Sequence, residues 1–209
     1  MIQFLRRIFA FFKSKRRSML NLILFGPPGS GKGTQAENII AKYGILHIST
    51  GDMFRYELSN NTELGQLAKS YMDKGELVPD SVTIAMLEKR VNENPDAKGI
   101  IFDGFPRTVA QAEALDALLA SKGTEITTLL SLEVPTEELV ARLLNRGHSS
   151  GRADDKDESI IRNRISVYHG DTKPVFDYYD EKRKAISIQG VGSIDDIFCS
   201  IQEQLDPLV

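Results

Sequence analysis

The sequence predicts an α/β fold of three layers, in which a parallel β-sheet is flanked by helices on both faces. Short apolar runs alternate with longer amphipathic segments along the chain, which is the pattern of repeated strand–helix units. The apolar runs are hydrophobic throughout rather than alternately polar, as expected for strands that helices cover on both sides. A glycine-rich turn also joins the first strand to the first helix, and this arrangement is typical of a phosphate-binding fold.

The apolar runs and one capping pattern define the individual elements. We expect strands at 21–25, 44–48, 99–103, 129–134 and 185–188. The segment TQAENIIAKY, after the first strand and the glycine-rich turn, has the pattern of a helix. Near the end of the chain, Ser193 offers an N-cap side chain, and Asp195 and Asp196 would place acids in the first helical turn. This pattern predicts a last helix from Ile194 to Leu205.

Two segments fall outside the strand–helix alternation. The first, 49–78, is predicted to be helical and follows the second strand, whereas the second, 145–155, is short, polar and contains glycine. Insertions of this kind usually carry function. We therefore expect two mobile flaps at these positions.

Composition narrows the class of protein further. A chain of 209 residues with 41% hydrophobic and 26% charged residues has the balance of one globular domain with a substantial core. Its single cysteine, Cys199, allows neither an internal disulfide nor a cysteine cluster for zinc, which favours a reducing, cytoplasmic location. The net charge of −3 argues against a nucleic-acid partner.

The first 18 residues form a segment apart. They carry six basic residues and no acidic residue, with Ile2, Leu5, Phe9 and Phe12 at roughly helical spacing. One interpretation is an amphipathic helix that contacts an anionic membrane. The run is too short and too interrupted by charge to span a bilayer. The interpretation that we favour is a loosely ordered arm, or an upstream-start extension, ahead of a functional domain at 19–209.

The strongest single motif is GPPGSGKGT at 26–34. Glycines let backbone N–H groups converge on phosphate oxygens, the following helix N-terminus adds positive potential, and Lys32 can reach between the outer phosphates. The motif departs from the general G-x-x-x-x-G-K-[ST] pattern, because Gly33 follows the lysine and the hydroxyl comes at Thr34. The predicted phosphate-binding residues are Gly29, Ser30, Gly31, Lys32, Gly33 and Thr34.

Six segments, in order, closely resemble adenylate kinases. They are GPPGSGKGTQ (26–35), HISTGDMFR (47–55), KGELVPD (74–80), DGFPRTVAQ (103–111), RLLNRGHSSGRADD (142–155) and RNRISVYHGDTKPVFDYY (162–179). The resemblance extends over essentially all of 19–209. It implies a P-loop NTPase fold and reversible, Mg²⁺-dependent phosphoryl transfer between ATP and AMP, giving two ADP. The family is mostly monomeric, and this version of the second flap resembles its short lid, for which no structural zinc is expected.

The resemblance also implies roles for individual residues. Arg107 would clamp the AMP phosphate together with Arg55, Gln111 would hydrogen-bond the adenine edge, and Gly104 would let the nucleotide approach the backbone. Asp103 would hold Mg²⁺ through water molecules, since magnesium keeps much of its hydration near nucleotides. The AMP set is Thr50, Gly51, Arg55, Glu76, Leu77, Val78, Gly104, Phe105, Pro106, Arg107, Gln111, Arg152 and Arg164.

Catalysis is assigned by the same resemblance to five basic residues. They are Lys32, Arg107, Arg146, Arg152 and Arg164. Arg146 and Gly192 would also contact ATP, and Asp154 and Asp155 would order the flap by pairing with arginines. The stretch before Arg164 is one residue longer than in many relatives, which leaves Arg162 as an alternative phosphate ligand. The motif that follows favours Arg164.

Other readings compete with an adenylate kinase. A UMP/CMP kinase shares the loop, the GFPR segment and the short lid, but Thr50 and Gln111 favour adenine at the acceptor base. A nucleotide-binding scaffold without turnover would not need so many charges aimed at a transferred group. An active kinase held at a membrane by residues 1–18 is a third possibility. His47 is expected to be a strand residue, His148 to stand alone in the flap and His169 to lie on a helix surface; none of these histidines is expected to be catalytic.

Overall fold

Five parallel strands form one sheet in the computed structural model, which describes residues 19–209. The strands are β1 (Leu20–Phe25), β2 (Leu46–Ser49), β3 (Gly99–Asp103), β4 (Thr128–Glu133) and β5 (Ala185–Gln189). Their order across the sheet is β2-β3-β1-β4-β5, and every neighbouring pair is parallel. All five predicted strands are confirmed, with ends that differ by no more than two residues.

Helices cover both faces of this sheet. Those in the described part of the chain are α1 (Lys32–Tyr43), α2 (Thr50–Ser59), α3 (Glu63–Met72), α4 (Asp80–Asn92), α5 (Val109–Ser121), α6 (Thr136–Ser149), α7 (Glu158–Val167), α8 (Pro174–Asp180) and α9 (Ile194–Leu205). The predicted start of the last helix is confirmed, because the Ser193 hydroxyl accepts a hydrogen bond from the Asp196 N–H at 3.1 Å. Short 3₁₀ turns follow at Ala153–Asp155 and Asp206–Leu208, and a π-helical turn spans Tyr168–Thr172.

The core lies in two layers, one on each side of the sheet. Alternate residues of β1 point to opposite faces, as the pleat requires. Ile23 belongs to a core that includes Leu115 of α5 and Tyr179 of α8, whereas Leu24 packs in the layer that includes Ile39 of α1. Helix, sheet and helix therefore form the three layers that the sequence predicts.

The strand order sets the position of the ligand site. From β1 the chain crosses to β2 and β3 on one side, and from there to β4 and β5 on the other. In open parallel sheets, ligands bind outside the carboxyl ends of strands where the order reverses in this way. The loop after β1 and Asp103 at the end of β3 consequently share one edge of the sheet.

The first insertion forms a small layer of its own. Helices α2 and α3 are capped by Ser49 and Thr62, and Phe54, Ala68 and Val78 form a separate apolar cluster. The helical prediction for this segment is confirmed.

The second insertion is only partly a loop. Helix α6 continues to Ser149, five residues into the segment predicted as a flap. The reason is that the buried stripe of this helix, Leu139, Leu143 and Gly147, keeps a spacing of four up to its last turn. Leu139 and Leu143 pack with Ile161 of α7, and Gly147 lies against the Asp155 backbone. The polar residues between these positions therefore lie on the outer face of a helix.

The arm predicted at 1–18, with its membrane-contact alternative, lies outside the described residues. Within residues 19–209, none of the helices combines the length and the apolar character that a membrane span requires.

Candidate active site

A cavity of about 560 Å³ opens at the carboxyl ends of the strands. It lies between the loop after β1, the end of β3 and the two insertions. The predicted site residues that line it are Gly29, Gly31, Lys32, Gly33, Thr34, Thr50, Gly51, Arg55, Glu76, Leu77, Val78, Asp103, Gly104, Phe105, Pro106, Arg107, Gln111, Arg146, Arg152 and Arg164. The remaining two, Ser30 and Gly192, line a smaller cavity of about 220 Å³ that shares residues of the loop.

The loop after β1 has the geometry of an anion site. Gly31 adopts φ 97° immediately before the 12-residue helix α1, so the free N–H groups of that helix begin at the cavity. Gly26 adopts φ 135°, and a Cβ there would lie 2.8 Å from the Leu132 carbonyl oxygen. This position therefore tolerates only glycine.

Lys32 is held at the centre of this loop. Its Nζ donates hydrogen bonds to the carbonyl oxygens of Gly26 at 2.7 Å and Pro27 at 2.8 Å. The pKa of this amine is lowered to about 8, chiefly because the amine is removed from water; Asp103 opposes this shift, and Arg107 and other nearby arginines add to it. A bound polyphosphate would restore the charge of this amine.

The lowered pKa of Lys32 predicts a pH dependence of ATP binding. Above pH 8 the amine of the free protein is largely neutral and must take up a proton before it can hold phosphate. We expect ATP affinity to fall from about pH 8 upward, by up to about tenfold per pH unit. Titration calorimetry at about pH 9 in buffers of different ionisation heat should detect uptake of roughly one proton per ATP, since phosphate monoesters are fully ionised there. An affinity that does not change between about pH 7.5 and about pH 9.5 would contradict this prediction.

A second cationic group lies on the β3 side of the cavity. The Arg107 Nε and the Thr50 hydroxyl both donate to the carbonyl oxygen of Gly104, each at 2.8 Å. Gly104 has φ 73°, and a Cβ there would lie 3.0 Å from the Thr50 hydroxyl. Burial lowers the pKa of Arg107 to about 10, with Arg164 adding to the effect, so the guanidinium stays charged at neutral pH.

The two insertions meet at the mouth of the cavity. Asp52 pairs with Arg55 on α2, and Arg152 from the second insertion approaches the same carboxylate at 3.9 Å. Burial would raise the pKa of Asp52, but its hydrogen bond with Arg55 and the other positive charge outweigh this and hold the pKa below its usual range. Asp52 thus keeps two of the predicted AMP-binding arginines at one end of the cavity.

Asp155 binds two arginines of the cavity, Arg146 and Arg164. Arg146 binds it through two hydrogen bonds, of 2.6 Å from Nε and 3.0 Å from Nη2, and Arg164 Nη1 donates to it at 2.7 Å. Arg164 also lies 2.9 Å from the carboxylate of Asp154. The prediction that these two aspartates pair with arginines is confirmed. Arg162, the alternative to Arg164, instead pairs with Glu137 and Glu158 on the surface and does not line the cavity.

Asp103 lies at the end of β3 close to Lys32. Burial disfavours its charged form, but His47, Lys32 and Arg107 outweigh burial and hold its pKa below the usual range. The Nε2 of His47 is 3.6 Å from the Asp103 carboxylate, is itself buried and has no hydrogen-bond partner within residues 19–209. His47 is a strand residue, as predicted, yet it also lines the cavity.

Sequence reasoning missed Arg142 altogether. It lines both cavities and donates from Nη1 to the carbonyl oxygen of Gly190 at 3.1 Å, which joins α6 to the loop that carries Gly192. The available signal was its spacing, because a residue four positions before Arg146 lies on the same helix face.

The side chains that could bind a metal ion directly are dispersed in the described part of the chain. Among residues 19–209, no three side chains of His, Cys, Asp or Glu lie close enough together to bind a metal ion by themselves. Cys199 is exposed on α9.

The fold and site together define a class. A glycine-rich loop between a central parallel strand and a helix, with a lysine at its centre, is the phosphate-binding element of P-loop nucleotide-binding proteins. Further arginines converge on the same cavity from α2, the segment after β3, the second insertion and α7. This is the arrangement of a nucleotide phosphotransferase.

Comparison with known proteins identifies the family within this class. A family model described as adenylate kinase matches residues 24–184. The chain is 53% identical over 190 residues to an adenylate kinase of Bacteroides thetaiotaomicron and 53% identical over 190 residues to one of Flavobacterium psychrophilum. It is 50% identical to an adenylate kinase of Phocaeicola vulgatus, and each match covers 91% of this chain and 100% of the relative. The chain belongs to the adenylate kinase family.

Proposed function

We propose that this protein transfers the terminal phosphoryl group of ATP reversibly to AMP, giving two ADP. The observation that carries the proposal is the convergence of Lys32 and six arginines on one cavity, which runs from the phosphate loop to the first insertion and the segment after β3. A single nucleotide would not need cations at both ends of the site. Family membership supports the same reaction.

The donor half is built on the phosphate loop. ATP phosphates would accept hydrogen bonds from the loop N–H groups and from Lys32, next to the positive end of α1. The adenine of ATP would extend toward the smaller cavity, where Arg142 offers a planar guanidinium beside the Gly192 backbone.

The acceptor half is built on the first insertion and the end of β3. The AMP phosphate would be clamped by Arg55 and Arg107, whose planar forks match phosphate oxygens. The base would lie against the strip from Glu76 to Val78 and be read by Gln111.

The chemistry needs alignment and charge neutralisation rather than a covalent intermediate. The attacking group is a phosphate oxygen of AMP, which is already anionic, so no side-chain nucleophile or base is required. Lys32, Arg146 and Arg164 would hold donor and acceptor in line. The insertions at 49–78 and 145–155 would close over AMP and ATP and exclude water, which would otherwise hydrolyse ATP.

The residues present fit a magnesium ion carried by ATP. Asp103 offers a largely buried, ionised carboxylate at the edge of the phosphate loop, close to Lys32. Magnesium is commonly held by one carboxylate, substrate phosphates and several waters. When bound, the ion would neutralise charge on the transferring phosphates, and Asp103 would orient its waters.

Acceptor specificity is the decisive test of this function. With ATP as donor, we expect AMP to be used in strong preference to UMP, CMP and GMP, because Thr50 and Gln111, the residues proposed to read the acceptor base, both line the cavity. Initial rates with each monophosphate, followed by chromatographic separation of the products, measure this directly. A preference for a pyrimidine would replace the proposal with a UMP/CMP kinase, and binding without turnover would replace it with a nucleotide-binding scaffold.

Location and assembly belong to the same proposal. We place the enzyme in the cytoplasm as a monomer. Its single cysteine supports a reducing compartment, and the described residues form the whole cavity within one chain.

A further inference from the structure

The side-chain amide of Gln111 is held at both ends. Gln111 is 1% exposed and lines the cavity. Its Nε2 donates to Oδ1 of Asp80 at 2.7 Å, and its Oε1 accepts from the backbone N–H of Arg107 at 2.8 Å. The nitrogen and the oxygen of this amide are therefore each held by a different hydrogen-bond partner.

The two partners permit only one orientation of the amide. The Asp80 carboxylate can only accept a hydrogen bond, and a backbone N–H can only donate one. A flipped amide would place oxygen against oxygen at Asp80 and N–H against N–H at Arg107. Asp80 is itself fixed, because the Thr108 hydroxyl donates to its other oxygen at 2.7 Å. The network joins the first residue of α4 to the N-cap of α5.

The locked amide has a defined hydrogen-bonding capacity left for a ligand. An amide offers two N–H donors and two acceptor lone pairs, and the described residues use one of each. The remaining donor and acceptor match adenine, whose 6-amino group donates beside an accepting ring nitrogen. A 6-oxo purine presents an acceptor in place of the 6-amino donor, and its N1 carries a proton. Only a flipped amide would pair with that edge.

We propose that Asp80 is a positioning residue that locks the Gln111 amide and thereby makes the acceptor site select 6-amino over 6-oxo purine monophosphates. Asp80 does not line the cavity, so it acts through Gln111 and not by contact with the nucleotide. The inference rests on the proposed function, in which Gln111 reads the acceptor base.

The test compares AMP with IMP, which differs from AMP at the 6-position and the N1 proton alone. In Asp80→Ala the lock is lost on one side, and we expect the ratio of kcat/KM for AMP to that for IMP to fall at least about tenfold. In Asp80→Asn the side-chain carbonyl can still accept from Nε2, so the ratio should stay close to that of the wild type. KM for ATP should not change in either variant.

A matched control tests whether the loss of an acidic residue at the start of a helix is enough to change the AMP/IMP ratio. Glu63 is the first residue of α3, as Asp80 is of α4, and it is exposed. Glu63→Ala should leave the AMP/IMP ratio unchanged. An unchanged ratio in folded Asp80→Ala would overturn the lock. A wild-type enzyme that does not prefer AMP to IMP would instead refute the reading of the base by Gln111, and with it the acceptor assignment.

A measurement on the wild-type enzyme keeps the proposal testable if Asp80→Ala does not fold. The two side-chain N–H resonances of Gln111 can be assigned by their loss in Gln111→Met. Before ligand is added, the resonance of the N–H bound to Asp80 should lie downfield of the corresponding resonance of solvent-exposed glutamine amides. AMP should shift mainly the other resonance. Resonances at the positions of solvent-exposed glutamine amides, or equal shifts of both on addition of AMP, would overturn the proposal.

Discussion

Replacing Lys32 with methionine is expected to lower turnover at least about 10²-fold, which corresponds to ~2.7 kcal/mol of lost transition-state stabilisation. Methionine keeps most of the length and apolar character of the side chain, so the principal change is the loss of the ammonium. That ammonium lies within the phosphate loop, held by the carbonyl oxygens of Gly26 and Pro27, where it can follow charge onto the transferring phosphoryl group. Steady-state kcat and KM measure the effect, with ATP or AMP varied in turn while the other nucleotide is held at saturation.

The chain offers a control on the same helix. Lys42 lies in the last turn of α1 and pairs with Asp206 at 2.9 Å, outside the cavity. Lys42→Met should therefore retain close to wild-type turnover. If Lys32→Met folds normally and also turns over at nearly the wild-type rate, Lys32 does not belong to the catalytic set.

The strands and the phosphate loop could be predicted because their signals are local. An apolar run of five residues specifies a buried strand wherever the rest of the chain lies, and the loop motif includes its own strand and helix. The cap at Ser193 predicted the start of α9 to the residue, since the side chain bonds the backbone three positions later. Positions that depend on such short-range rules needed no tertiary information.

Long-range contacts account for what the sequence did not reveal. The hydrogen bond between Gln111 and Asp80 joins residues 31 positions apart, and no local sequence pattern near either residue predicts it. His47 read as an ordinary strand residue because its proximity to Asp103 arises only when β2 pairs with β3. The sequence does not predict the last turn of α6 as helix, because its burial depends on the packing of Gly147 against the backbone of Asp155, eight positions later.

Replacing Arg107 with alanine is expected to lower turnover by at least about 10²-fold, again ~2.7 kcal/mol. Arg107 lines the cavity and is charged at neutral pH despite a pKa lowered by burial to about 10. Its fork would hold the AMP phosphate in line with the donor, and alanine leaves that dianion without its partner in a shielded site. Arg107→Lys should recover only part of the loss, because an ammonium keeps the charge but not the bidentate geometry.

The same variant separates phosphate binding from base reading. Arg107→Ala removes the guanidinium but keeps the backbone N–H that holds the Gln111 oxygen. Turnover should therefore fall while the preference for AMP over IMP is retained, which is the opposite of the pattern expected for Asp80→Ala. Arg90→Ala, which removes a surface arginine near Glu93 at the end of α4, serves as the control and should change neither quantity. Near-wild-type turnover in Arg107→Ala would remove this residue from the acceptor site, and a lost AMP preference would show that its guanidinium also orients the base.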